Sequence, residues 1–214
     1  MKLLTKHWYD MGAVLALLVL AYLFINGSHL SSYKIIQWVS LITLFLHQLE
    51  EYRIAGTFPG MVNTVMYHSN LPDRFPLNAK TALFVNVIVG WTSYFAAAIF
   101  AENAVWLGIA TILVSIGNTI GHTFLFNIKA KSFYNAGLAT CWLLFVPVSI
   151  FFFKTIYQES IATATDYLIG VPLGILFNYL GILKLIDWMA DENTAYIFPQ
   201  RNLLPKNRKE TRLK

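Results

Sequence analysis

Most of the chemistry this sequence could support sits in one stretch, His47-Gln48-Leu49-Glu50-Glu51. It closes a largely apolar run, Tyr33 to Leu46, rich in Ile, Leu, Phe and Val. At about 100° per helical residue, His47 and Glu51 lie within about 40° of each other, and Glu50 falls about 60° to the other side. One imidazole and two carboxylates therefore share a face near the end of a hydrophobic helix. Ionisable groups within a membrane span are costly, so they pair, face a protein interior or do chemistry.

A second imidazole, His122, stands in Asn118-Thr119-Ile120-Gly121-His122. His47, Glu51 and His122 together make two histidines and a carboxylate, a metal set that suits zinc with an open water position or non-haem iron. Such a centre lowers the pKa of its water, and the other glutamate can act as base. The catalytic candidates are Glu50, Glu51 and His47. Hydrolysis is favoured over oxidation because histidine ligands are few. A metal-free reading uses one desolvated glutamate to activate water while a histidine donates protons. A third reading is proton-coupled transport or ligand binding. The plainest alternative is structural: Glu50 and Glu51 mark where a helix meets water, and His47 packs against a neighbour.

Composition decides which elements could position these groups. The chain has 214 residues, 57% hydrophobic and 13% charged, against about 25% charged in soluble domains. With six Trp, eleven Tyr and sixteen Phe, this points to an integral, multi-pass membrane protein, of the cytoplasmic membrane if the cell is bacterial. Its first partner is the lipid bilayer. The net charge of +5 reads as a topology and headgroup signal, not as nucleic-acid binding. The one cysteine, Cys141, cannot form an internal disulfide.

The pattern predicts an all-α bundle, residues 1–192, of about six spans at 8–26, 33–52, 79–100, 104–128, 133–157 and 161–188, followed by a basic, weakly ordered tail, 193–214. The first span is expected to be retained, because no small-residue cleavage site follows it. With six spans, fourteen of the sixteen Lys and Arg fall on the side of the termini; Lys34 and Lys154 are the exceptions. The positive-inside rule then places both termini in the cytoplasm. The long connection 53–78 reads as a lid or an interfacial anchor. Trp8, Trp38, Trp106 and Trp188 fit interfacial belts.

This topology gathers the polar residues into the cytoplasmic half, with no comparable set expected in the outer half. Beside His47, Glu50, Glu51 and His122 come Asn86, Asn118, Asn135, Thr140 and Asn178 as substrate or supporting groups. Gly117 and Gly121, and the stripe Gly170, Gly174 and Asn178, would let helices approach closely.

The three blocks His47-Gln48-Leu49-Glu50-Glu51, Asn118-Thr119-Ile120-Gly121-His122 and Tyr134-Asn135-Ala136-Gly137-Leu138-Ala139-Thr140 resemble, in order and spacing, the HXXEE-motif membrane protein family. Ala136 stands where the resemblance leads one to expect proline. The family has no assigned function, so the resemblance implies the site and no reaction. The reading that emerges is a metal-assisted, hydrolase-like membrane enzyme acting on a lipid or other apolar substrate. Reporter fusions check the topology: a C-terminal alkaline phosphatase should be inactive and a C-terminal fluorescent protein bright.

Overall fold

The computed structural model describes residues 4–210; Lys2, Arg212 and Lys214, part of the charge pattern above, lie outside them. Among the described residues helix is the regular structure present, with no strand. Five helices are long and apolar enough to cross a membrane: α1 Leu4–His29, α3 Ala79–Ile99, α4 Val105–Ala130, α5 Leu138–Gln158 and α6 Ala164–Trp188. A sixth, α2 over 32–54, is as long but less apolar. Ser31 caps its start by accepting from Lys34 N–H at 3.2 Å. The protein is a multi-pass helical bundle.

α2 differs from the rest because it is wrapped by protein. Its Gln37, Ser40, Thr43, His47 and Gln48 are all buried, against α1, α3 and α5. Polar side chains that would be costly in lipid are thus held where other helices shield them. Tyr33 and Gln37 meet over Gly108 of α4, where a Cβ would collide with both. This corrects one expectation: the end of the bundle remote from His47 also carries buried polar groups, Tyr33, Gln37, Ser40 and Thr111 among them. Gln37, Ser40 and Thr111 escape notice in the sequence because each is flanked by apolar residues.

The close helix contacts fall where small residues predict them. A Cβ on Gly170 would stand 2.5 Å from Trp106 O, and one on Gly174 2.8 Å from Leu113 Cβ. α6 therefore lies almost backbone to backbone on α4. At the remote end, Lys34 pairs with Glu102 at 3.7 Å and the Trp106 N–H donates to Asp166 at 3.2 Å.

All five helices that follow α1 widen at the same end of the bundle. Bonding of the i→i+5 kind runs over Glu50–Ile54, Phe84–Trp91, Gly121–Phe126, Cys141–Phe145 and Tyr179–Lys184. Such widening re-aims side chains and recurs at functional sites.

The 53–78 connection is packed. Its short helix, Phe58–Met61 continuing over Val62–Met66, is pinned by the buried Asn63. That amide donates to Leu77 O at 2.8 Å and accepts from Leu77 N–H at 2.9 Å. Tyr67 donates to Asp187 at 3.1 Å; partial burial and that carboxylate push its hydroxyl up to about 12, so it stays a donor. Asp187 also meets Lys184 at 3.4 Å.

Two expectations give way to packing. The stretch after Asp191 folds back: Asn202 donates to Tyr52 O and Gly56 O, and Leu203 is fully buried beside Gly60. Trp8 is buried, its ring 4.8 Å from Tyr52, and belongs to the core and not to an interfacial belt. Partners recruited from distant segments, apolar ones for Trp8 and Leu203 and backbone carbonyls for Asn202, decided both. Asn63→Leu should cost about 2 kcal/mol by orphaning buried backbone groups; limited proteolysis should then cut within 64–76.

Candidate functional site

Three elements converge: the end of α2 with His47, Glu50 and Glu51, the widened end of α4 with His122, and the turn into α5 with residues 134–141. Glu51 Oε1 lies 3.5 Å from His47 Nε2 and 3.2 Å from His122 Nε2. All three residues are buried, with His122 fully enclosed. Among the described residues the Glu51 carboxylate meets no Lys, Arg, hydroxyl or amide donor.

The hydrogen bonds on the far side of each ring fix its proton. Asn135 Nδ2 donates to His122 O at 2.8 Å and to Asn127 Oδ1 at 2.7 Å. Its Oδ1 therefore faces His122 Nδ1, 2.5 Å away, and Nδ1 must carry the hydrogen. The Thr140 hydroxyl has two acceptors in reach, Glu50 Oε2 at 2.6 Å and Gly137 O at 3.0 Å. Its hydrogen goes to one of them, so His47 Nδ1, 2.9 Å from the oxygen, is the donor of that bond. Each imidazole, when neutral, then aims an Nε2 lone pair at Glu51. Neither Nε2 has a hydrogen-bond partner.

Glu50 does something else. Its carboxylate accepts from Thr140 N–H at 2.8 Å, Thr140 Oγ1 at 2.6 Å, Ala139 N–H at 3.3 Å and Tyr134 OH at 2.8 Å. It thus sits on the N-terminus of α5, where free N–H groups and the helix dipole favour an anion. Adjacent glutamates point to different partners: Glu51 to the imidazoles, Glu50 to the helix that carries Thr140.

Gly137 makes the assembly possible. Its φ of +106° suits glycine, and a Cβ there would stand 2.5 Å from His122 Cε1 and 2.9 Å from His47 Cε1. Aromatic rings close the rest. Phe58 stacks on His122 with centroids 5.4 Å apart, Phe126 meets the same ring edge-on at 4.9 Å, and Phe145 lies 4.7 Å from His47.

Residues 38–152 match the family described as a protein of unknown function with HXXEE motif. The chain belongs to the HXXEE family. No curated protein and no solved structure matches it. The matched segment contains every contact of the HXXEE histidine and its two glutamates described above, and ends before α6.

The structure brings together His47, Glu51, His122, Asn135 and Thr140, with Glu50 one bond removed. Asn86 and Asn118 line a cavity of about 70 Å³ beside His47 and Glu51. Asn86 belongs to a chain in which Trp91 donates to Gln48, Gln48 to Asn86, and Asn86 to Tyr52. Asn178 stands apart: it donates to Leu113 O at 3.2 Å and clamps α6 to α4. Cys141, given no role from sequence, is buried with Sγ 3.9 Å from His47 Nδ1. His47, His122 and Cys141 offer ligand atoms within 4.8 Å of one another. Its place directly after Thr140 in the third block was the available signal. Gly137→Ala should lower stability by about 2–4 kcal/mol through backbone strain and overpacking, read as a lower unfolding midpoint in detergent.

Proposed function

We propose that this HXXEE protein is a metal-assisted membrane enzyme, hydrolase-like, acting on a lipid or other apolar substrate. The carrying observation is that Glu51 Oε1 lies 3.5 Å from His47 Nε2 and 3.2 Å from His122 Nε2, while each ring directs its Nδ1 to another partner. Buried acceptors facing one another need a proton or a metal cation between them, and two imidazoles with a carboxylate are a metal's donor set. Tetrahedral ligands 2.0–2.1 Å from zinc stand about 3.3 Å apart, close to the observed 3.2 and 3.5 Å. Zinc or iron fits the donor set.

Glu51 is favoured over Cys141 as the third ligand, because the sulfur lies on the Nδ1 side of His47, and that nitrogen is held by Thr140. Cys141 remains a candidate further ligand. The chemistry such a centre supplies is a water activated near neutral pH. The chain's own contribution is orientation: Asn135 and Thr140 lock the ring tautomers, and Glu50 fixes Thr140. The adjoining cavity, apolar apart from His47, Gln48, Glu51, Tyr52, Asn86, Ser93, Tyr94 and Asn118, holds the reacting group away from bulk water. By the charge pattern, this site lies in the cytoplasmic leaflet.

One observation favours a second reading. The buried polar groups Tyr33, Gln37 and Ser40 on α2 extend toward the remote end, as a proton-coupled transporter would require.

Elemental mass spectrometry of the detergent-purified protein decides. Near-stoichiometric zinc or iron is expected, lost in His47→Ala, His122→Ala and Glu51→Gln and kept in Glu50→Gln. Thr140→Val should weaken retention about 10–100-fold. Metal-free protein with folded variants would sink this reading and make proton-coupled uptake the next assay.

A further inference from the structure

A continuous apolar seam leads from the lipid-facing surface to this site. Between α4 and α6 lies a groove of about 430 Å³, walled by Leu113, Ile116, Val171 and Ile175. It continues into a second groove of about 360 Å³, the two sharing Gly117, Ile120, Asn178 and Leu183. The second groove in turn shares Phe58, Asn118, Ile182 and Ile186 with the cavity that holds His47 and Glu51.

We propose that this seam binds one acyl chain of a membrane lipid, and that Phe58 is the door between the seam and the His/Glu cavity. The inference rests on the reading of the cavity as a substrate site and names the substrate's class and route. The occupant follows from where the seam opens. α4 and α6 are both apolar enough to span a membrane, and Ile120, Ile175 and Leu183 on its edges are exposed. Whatever fills it comes from the bilayer. Its walls are apolar apart from Asn118, Asn178, Tyr67 and Tyr179, and no Lys or Arg lines it. A methylene chain therefore suits the interior, and a charged headgroup does not. Polar groups occur at one rim, where Tyr67 and Lys184 meet Asp187.

The seam's open floor lies at Gly121. Asn178 fills the space over Gly117, whereas a Cβ on Gly121 would meet only Phe126, at 3.8 Å. Phe58 stands at the inner end. It borders both spaces, and its ring rests on His122 and, 5.7 Å away, on Phe126. It is the first residue of a short helix carried by the 53–78 connection.

The test uses the full chain in vesicles of phosphatidylcholine with a diazirine in one acyl chain, photolysed and mapped by peptide mass spectrometry. Adducts on Met66, Leu125 and Leu183 should exceed several-fold those on Leu17 and Phe24, which face outward on α1. Gly121→Leu should fill the seam and remove most seam adducts, leaving α1 labelling unchanged. Phe58→Ala should extend labelling inward to Val89 and Val114. Should Gly121→Leu fail to fold, Leu183→Trp plugs the mouth from an exposed position. Seam labelling no greater than α1 labelling, or unaffected by both plugs, overturns the proposal. Metal content separates the two ideas: a metal-free protein that still labels the seam defeats the enzyme reading alone, and a metal-loaded protein that does not label defeats only the seam.

Discussion

A buried carboxylate with no Lys or Arg beside it among the described residues is the constraint the rest of this molecule serves. Glu51 is out of water, and an isolated carboxylate there would be too costly to keep ionised. Its neighbours are two imidazole nitrogens, and each ring is tied from behind through Nδ1 so that Nε2 faces the carboxylate. The ties come from different parts of the chain. Asn135 is itself held by His122 O and Asn127. Thr140 is held by Glu50, which is stabilised in turn by the start of α5. Removing Asn135 or Thr140 frees a ring to rotate or change tautomer, and the convergence is lost.

The membrane setting explains why α2 occupies the middle. A helix carrying Gln37, Ser40, Thr43, His47, Gln48, Glu50 and Glu51 is a poor lipid-facing span, yet it forms because its neighbours hide these groups. α1 and α6 do the opposite and present mostly apolar surface outward. The widened turns gathered at one end have a related logic. An i→i+5 turn changes which way successive side chains point, and the turn starting at Glu50 lies where two adjacent glutamates must serve different partners.

The limits of the sequence show in particular residues. His47 and Glu51 could be paired from helical spacing, since residues four apart share a face. His122 could be placed at the same depth by counting spans. The separate fate of Glu50 could not be seen, because its donors lie 84 to 90 residues away. Asn178 looked like a site residue by depth but packs on Gly117 and holds α6 to α4. In the sequence Phe58 is only one residue of the 53–78 connection and Cys141 has only its place after Thr140; contact with a histidine sets each apart.

By itself the sequence determined the all-helical membrane class, the residue types of the site and the family, because hydropathy over twenty residues and spacing within one helix are local properties. Tertiary structure decided which ring nitrogen carries the hydrogen, which glutamate meets the histidines, that α2 is shielded from lipid, and where a seam opens toward the site. These depend on the directions of lone pairs and on gaps between helices, and both are set by contacts between residues far apart in the chain.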